Sequence, residues 1–210
     1  MDKFTDTIAR IHAETTMKHL KERHFGCTIV EDEKEALTLI QSMVKEGDTV
    51  SVGGSMTLFE TGVIDYLEHN AEITYLDRYH TDDVHDVFRK AFSADVYITS
   101  TNALTMSGKL FNVDRNGNRV AAMIYGPKKV IVLTGINKIV KDDEAAIKRI
   151  QTIATPANCL RLKQDTPCTK TGFCVDCRSD ARLCASHVVQ DYCHIKDRIH
   201  VIIMMKEAGY

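Results

Sequence analysis

The sequence predicts an α/β fold of three layers, with helices on both faces of a mostly parallel sheet. Three observations carry this. Short apolar runs rich in Val and Ile recur along the chain. Between them lie stretches whose apolar residues repeat with the helical period. The run from Lys129 to Leu133 lacks alternating polar residues, as a strand buried on both faces requires. Strands alternating with helices of this length form parallel sheets.

Taken in order, Phe4, Ile8, Ile11 and Leu20 follow a helical stripe interrupted at Thr15 and Thr16, with Gly26 placed to cap its end. Cys27 to Val30 reads as a strand. Ala36, Leu37, Ile40, Met43 and Val44 mark a second helix closed by Gly47, and Thr49 to Val52 is the next strand. It runs into Gly53, Gly54 and Ser55, followed by a helix expected from Leu58 to Glu68. Glu72 to Leu76 reads as a strand. Val84, Val87, Phe88 and Ala91 form a helical face that Thr81 or Asp82 can cap, and Asp95 to Ser100 is a strand again.

The pattern then changes. Lys109–Val113 and Arg119–Met123 read as the two arms of an inserted β-hairpin, because Asn116-Gly117 tolerates positive φ. After the apolar strand, a helix is expected from Asp142 to Ile153, opened by acids at its positive end and stopped by Pro156. A cysteine-rich segment and a closing strand, Ile199 to Met204, complete the chain.

A length of 210 residues suits a single domain, 1–210, in which residues 158–197 form a cysteine-rich, metal-binding subregion. The formal net charge of -2 provides no global field for nucleic acid. No apolar run approaches the roughly 18 residues of a membrane span, and the start, Met1 to Asp6, lacks the apolar stretch of a signal peptide. A cytoplasmic location is therefore expected. In that reducing compartment, seven cysteines read as metal ligands before disulfides.

Gly53, Gly54, Ser55 and Thr57 join a strand to a helix. Glycines let backbone approach a ligand, the following helix offers unpaired N–H groups, and the hydroxyls add donors. A phosphate or carboxylate suits such a turn. A tight turn capped by Ser55 or Thr57 is the alternative. The Walker lysine and the full dinucleotide glycine spacing are both missing.

Further along, the sequence from Ala94 to Thr105 is followed by Ser107-Gly108-Lys109-Leu110, Gly117-Asn118-Arg119-Val120, Tyr125-Gly126-Pro127 and Gly135-Ile136-Asn137-Lys138-Ile139-Val140. This ordered set resembles the LUD-domain family, named for lactate utilisation, over nearly the whole chain. The resemblance implies a Rossmann-like fold similar to ribose-5-phosphate isomerase, glucosamine-phosphate deaminase and CoA transferases, with ligands at the carboxyl ends of the strands. It also implies a component of a lactate-oxidation system with iron–sulfur partner proteins. Asn102 and Thr105 fall just past one strand end, and Asn137 and Lys138 past another, where a small anionic metabolite is expected. Glu60 is a weak candidate for the base that related folds use; as an early helix residue it equally suits the helix dipole. Asn118 and Arg119 read as hairpin chemistry, and His80 and His85 as exposed histidines. Whether the chain is an oxidoreductase component, a stand-alone isomerase or acyl transferase, or a non-catalytic assembly module is left open at this level, as is a homo-oligomer.

Near the C-terminus, Cys168, Cys174, Cys177 and Cys184 are spaced C-x5-C-x2-C-x6-C. Four thiolates close a tetrahedral zinc site or hold an iron–sulfur cluster, and the spacing matches neither ferredoxin pattern. A redox disulfide between Cys174 and Cys177 is the competing reading. Cys159, Cys193, His187 and His194 are reserve ligands, and Cys27 reads as a core residue.

Overall fold

The computed structural model describes residues 3–210. Met1 and Asp2, part of the stretch expected to lack a signal-peptide core, lie outside the described residues. The longest strand, β7 (Lys129–Gly135), shows why the molecule is layered. Its Val130 and Val132 enter one apolar core and its Ile131 and Leu133 the other, all fully buried. Such a strand must be covered on both faces.

Its neighbours are β4 (Val96–Thr99) and β10 (Ile199–Met204), both parallel to it. β1 (Gly26–Val30) extends the β10 side, and β2 (Thr49–Val52) and β3 (Thr74–Leu76) extend the β4 side. The order is β1-β10-β7-β4-β2-β3, with every pairing parallel. One face packs on α1 (Lys3–Glu22) and α6 (Asn118–Ile124). The other packs on α2 (Glu33–Met43), α3 (Met56–Glu60) and α4 (Val63–His69). The expected α/β architecture is thus present. No helix among the described residues is long and apolar enough to cross a membrane.

A second sheet, ordered β8-β5-β6-β9, joins β5 (Ala103–Thr105), β6 (Leu110–Asp114), β8 (Ile139–Val140) and β9 (Ser186–Gln190). α7 (Asp143–Arg149) backs it through Ala146 and the following Ile150, which meet Ala103 and Phe111.

Several local expectations are corrected. The hairpin exists, but its arms are β5 and β6, with Leu104 opposite Leu110. Residues 119–123 belong to α6 instead. Gly117, at φ 73°, precedes that helix, and the Asp114 carboxylate accepts the Val120 N–H at 3.1 Å near its positive end. The helix expected from Leu58 to Glu68 is split into α3 and α4 by Gly62 at φ 73°. Asp83, not Thr81 or Asp82, caps α5 (Val84–Lys90) by accepting the Asp86 N–H at 2.9 Å. His24, at φ 63°, turns the end of α1, where the Phe25 N–H reaches the Leu20 carbonyl at 3.0 Å. Gly26 instead lets β1 pass the His200 ring, since a Cβ there would lie 2.5 Å from Nδ1.

Pro156 does not stop its helix. The turn widens to π geometry over Ile150–Ala154 and continues into α8 (Thr155–Arg161), with Pro156 in the first turn. Proline lacks one N–H and crowds the preceding carbonyl, and a widened turn absorbs both defects.

The connections set the ligand-binding position. From β2 the chain moves outward to β3; from β4 it proceeds the other way to β7. The crevice between the carboxyl ends of β2 and β4 is a topological switch point, where open α/β sheets bind ligands.

Candidate functional site

A cleft of about 450 Å³ opens at that switch point. Its floor begins with Gly54 and Ser55 after β2, and Ser100, Thr101 and Asn102 after β4. Gly53 lies beneath it, fitted so tightly that a Cβ would sit 2.4 Å from Thr99 Oγ1. Ser55 begins α3 without a side-chain capping bond, so the capping alternative does not occupy its hydroxyl.

Lys138 is the central group. It follows β7, is only 2% exposed, and donates from Nζ to Thr57 Oγ1 at 2.8 Å and Ser100 Oγ at 3.1 Å. Thr57 is free to accept because its own proton goes to the Ala208 carbonyl. An ammonium carries three donors, so the third remains for a ligand. Burial pulls the Lys138 pKa down to about 7, helped by the nearby Arg149 and Arg119 charges and opposed by Glu60. Near neutral pH, Lys138 is therefore divided between ammonium and amine. It can hold an anion in one form and accept a proton in the other.

Arginines surround it. Arg119 donates to Asp114 Oδ1 at 2.7 Å, Asn102 Oδ1 at 2.8 Å and the Ser100 and Val113 carbonyls, so it ties the strand ends together. Arg149 donates to the carbonyls of Asn137 and Asn102, and burial lowers its pKa to about 10. Arg78 stacks over Phe88 at 4.8 Å and would touch any Cβ at Gly54. Arg161 bonds Asn158 and the Tyr210 hydroxyl. Among the described residues, five basic side chains line the cleft against one side-chain carboxylate, Asp114, which Arg119 already pairs. Arg78, Arg115 and Arg161 have no carboxylate partner there. This surplus of positive charge recruits an anion. No histidine and no unpaired side-chain carboxylate among the described residues lines the cleft.

Of the residues singled out in the sequence, Gly54, Ser55, Asn102 and Lys138 meet at the cleft, with Gly53 and Thr57 directly behind. Asn137 has a different task. Its amide donates to the Gly209 carbonyl and accepts the Ala208 N–H, fastening the C-terminal tail. Glu60 fastens the same tail by accepting the Gly209 N–H at 2.7 Å. Thr105 ends β5, bonded to Ser107 Oγ and the Lys109 N–H across the β5–β6 turn, away from the cleft. Arg119 reads as hairpin chemistry in the sequence, and Arg78, Arg161 and Tyr210 escaped the sequence reading. Arg78 was findable as a cation two residues beyond β3; Arg161 and Tyr210 reach the cleft only through tertiary packing.

Behind the cleft, Cys159, Cys168, Cys174, Cys177 and Cys184 line one small apolar cavity. All seven cysteines are free. Cys193 lies elsewhere in the main core and donates to the Ile195 carbonyl, while His187 and His194 are exposed. Burial raises Cys27 to about 12, in keeping with a core thiol. Among the described residues, the only three metal-capable side chains with ligand atoms mutually within 4.8 Å are Glu68, Asp77 and His80, on the surface.

The fold is similar to that of a DUF162 family protein from Deinococcus radiodurans. The two are 11% identical, with 93% of this chain and 98% of that one covered and a TM-score of 0.54. Chaetomium thermophilum eIF2B beta is 13% identical over 53% of this chain and 44% of its own, with a TM-score of 0.39. No curated protein matches the sequence. The family model described as the LUD domain matches residues 13–204. With that match spanning both sheets and the cleft between β2 and β4, the chain belongs to the LUD domain family, and its role is related to lactate utilisation at the level of the family.

Proposed function

We propose that this protein binds a small organic acid anion in the switch-point cleft as a component of a lactate-type oxidation system. The observation that carries this reading is the buried Lys138, its Nζ held by Thr57 and Ser100, set beside Arg78, Arg115 and Arg161, which have no carboxylate to neutralise them. A carboxylate ligand supplies the missing negative charge. Its second oxygen, or an α-hydroxyl or α-keto group, meets the Asn102 amide as a donor, its Oδ1 being taken by Arg119 and the Val113 N–H, and the Ser55 hydroxyl, which both donates and accepts. At about 450 Å³ the cleft has room for a metabolite of a few carbons and for its larger phosphorylated analogue.

A stand-alone isomerase or acyl transferase working through Glu60 or a histidine is not favoured. Glu60 holds the tail, and neither it nor a histidine lines the cleft.

Thermal melting with lactate, pyruvate and phosphorylated analogues tests the proposal. At least one should raise the melting temperature of the parent protein, and Arg78→Ala or Arg161→Ala should abolish that rise. If no organic acid shifts the melt, or if the arginine variants respond like the parent, the reading fails.

A further inference from the structure

Lys138 has a chemistry beyond its charge. It is buried, yet no carboxylate among the described residues pairs with it. A buried ammonium without a counter-ion is costly, so such a lysine sheds its proton more readily than one at the surface. Its two side-chain partners are hydroxyls, and both send their own protons elsewhere. Thr57 Oγ1 donates to the Ala208 carbonyl at 3.1 Å and Ser100 Oγ to the Thr101 carbonyl at 3.5 Å. Each oxygen therefore accepts from Nζ, at 2.8 and 3.1 Å, and neither has a proton left to give it. An amine that donates two N–H groups to these oxygens keeps its lone pair free. Gly209 packs beside the same atoms, where a Cβ would lie 2.6 Å from Thr57 Oγ1 and 3.3 Å from Nζ, so the tail covers them with bare backbone. The open side is the cleft, which Lys138 lines.

We propose that Lys138 captures an α-keto acid covalently, its Nζ forming an imine with the keto carbon while the unpaired arginines of the cleft hold the carboxylate. This rests on the anion reading of the cleft and names the class of acid that the site takes.

The steps balance without a further reactant. The Nζ lone pair forms the N–C bond, the carbonyl π pair moves to oxygen, and a proton passes from nitrogen to that oxygen. The new hydroxyl then takes one proton from solvent and leaves as water, while the nitrogen lone pair closes the C=N bond. Ser55, whose hydroxyl lines the cleft without a capping bond, can relay the proton to the departing oxygen. The product is a protonated imine whose remaining N–H has Thr57 Oγ1 and Ser100 Oγ as acceptors. Burial brings the Lys138 pKa down to about 7, so the amine that attacks and the acidity that expels water coexist near neutral pH. Lysines paired with carboxylates at the surface, such as Lys90, Lys170 and Lys206, stay protonated and are poor nucleophiles. With no histidine or unpaired side-chain carboxylate lining the cleft to draw a proton from the neighbouring carbon, the adduct rests at the imine, a reversible hold on the keto acid.

The test incubates the full-length chain with pyruvate and sodium cyanoborohydride, which reduces the imine to a stable amine, and then measures its mass. One adduct per chain, of the mass of pyruvic acid less one oxygen atom, is expected on the peptide that carries Lys138. It should form at least about tenfold faster there than on any surface lysine. Lactate, which has no carbonyl, should leave no adduct. Lys138→Met should keep the circular dichroism of the parent and lose the fast adduct. If pyruvate raises the melting temperature but leaves Lys138 unmodified, or modifies it no faster than the surface lysines, the imine is overturned and the anion reading stands. An equally fast adduct in Lys138→Met also overturns it. If no organic acid shifts the melt and pyruvate leaves no adduct, both readings fall together.

Discussion

Lys138 destabilises the fold when charged, and the sign of its pH dependence follows from its depressed pKa. Between about 7 and its ordinary value, the unfolded chain binds a proton that the folded chain releases. Its contribution to stability therefore rises with pH across that window. Below it both states are protonated, and the cost is full, on the order of 5 kcal/mol. Lys138→Met should melt higher than the parent near pH 6 and lose most of the gap by pH 10; melting curves across that range check this. The Asp114–Arg119 pair behaves differently. Both side chains are nearly buried, at 8% and 10% exposed, so Asp114→Ala strands a buried guanidinium and should cost ~3–5 kcal/mol in chemical denaturation.

At the scale of elements, two left-handed glycines separate conformational strain from crowding. Gly62 at φ 73° divides α3 from α4 with nothing within 4 Å of a built Cβ. Gly62→Ala should therefore cost only ~1–2 kcal/mol, the backbone penalty. Gly108, at φ 82°, lies in the β5–β6 turn against α1, where a Cβ would approach the backbone of His19 and Leu20 to 2.8 Å. Gly108→Ala adds a clash with a helix that cannot yield, and urea unfolding should show the larger loss. The elements most legible in the sequence were those whose pattern and burial agree, such as β7 and β10. Arg119–Met123 misled because Asn-Gly serves a helix start as readily as a hairpin, and the choice was made by Asp114, four residues upstream of Asn118. Pro156 misled because a π turn can relieve it, and no local pattern announces one.

For the whole molecule, the cleft is assembled from distant pieces of chain. The carboxyl ends of β2, β4 and β7 supply Ser55, Asn102 and Lys138, and these were legible because strand ends are where parallel sheets bind ligands. The closing wall was not. Arg161 and Tyr210 are 49 residues apart and meet through one hydrogen bond, while Glu60 and Asn137 hold the tail that carries Tyr210. Removing residues 209–210 should leave the sheet intact by circular dichroism and weaken organic acid binding severalfold, because Arg161 loses the Tyr210 hydroxyl and is held by Asn158 alone. Conversely, four of the five clustered thiols were anticipated by spacing alone, and Cys159, a reserve ligand in the sequence, is added by the packing of α8.

The most direct test of the anion cleft is a calorimetric titration near pH 8 with whichever organic acid raises the melting temperature, run in two buffers of different ionisation enthalpy. An anion beside Lys138 favours its ammonium form, so binding should take up close to one proton per site at about that pH, and the uptake should vanish in Lys138→Met. Binding with identical enthalpies in both buffers, or proton uptake unchanged by Lys138→Met, would contradict the assignment of Lys138 as the anion's partner.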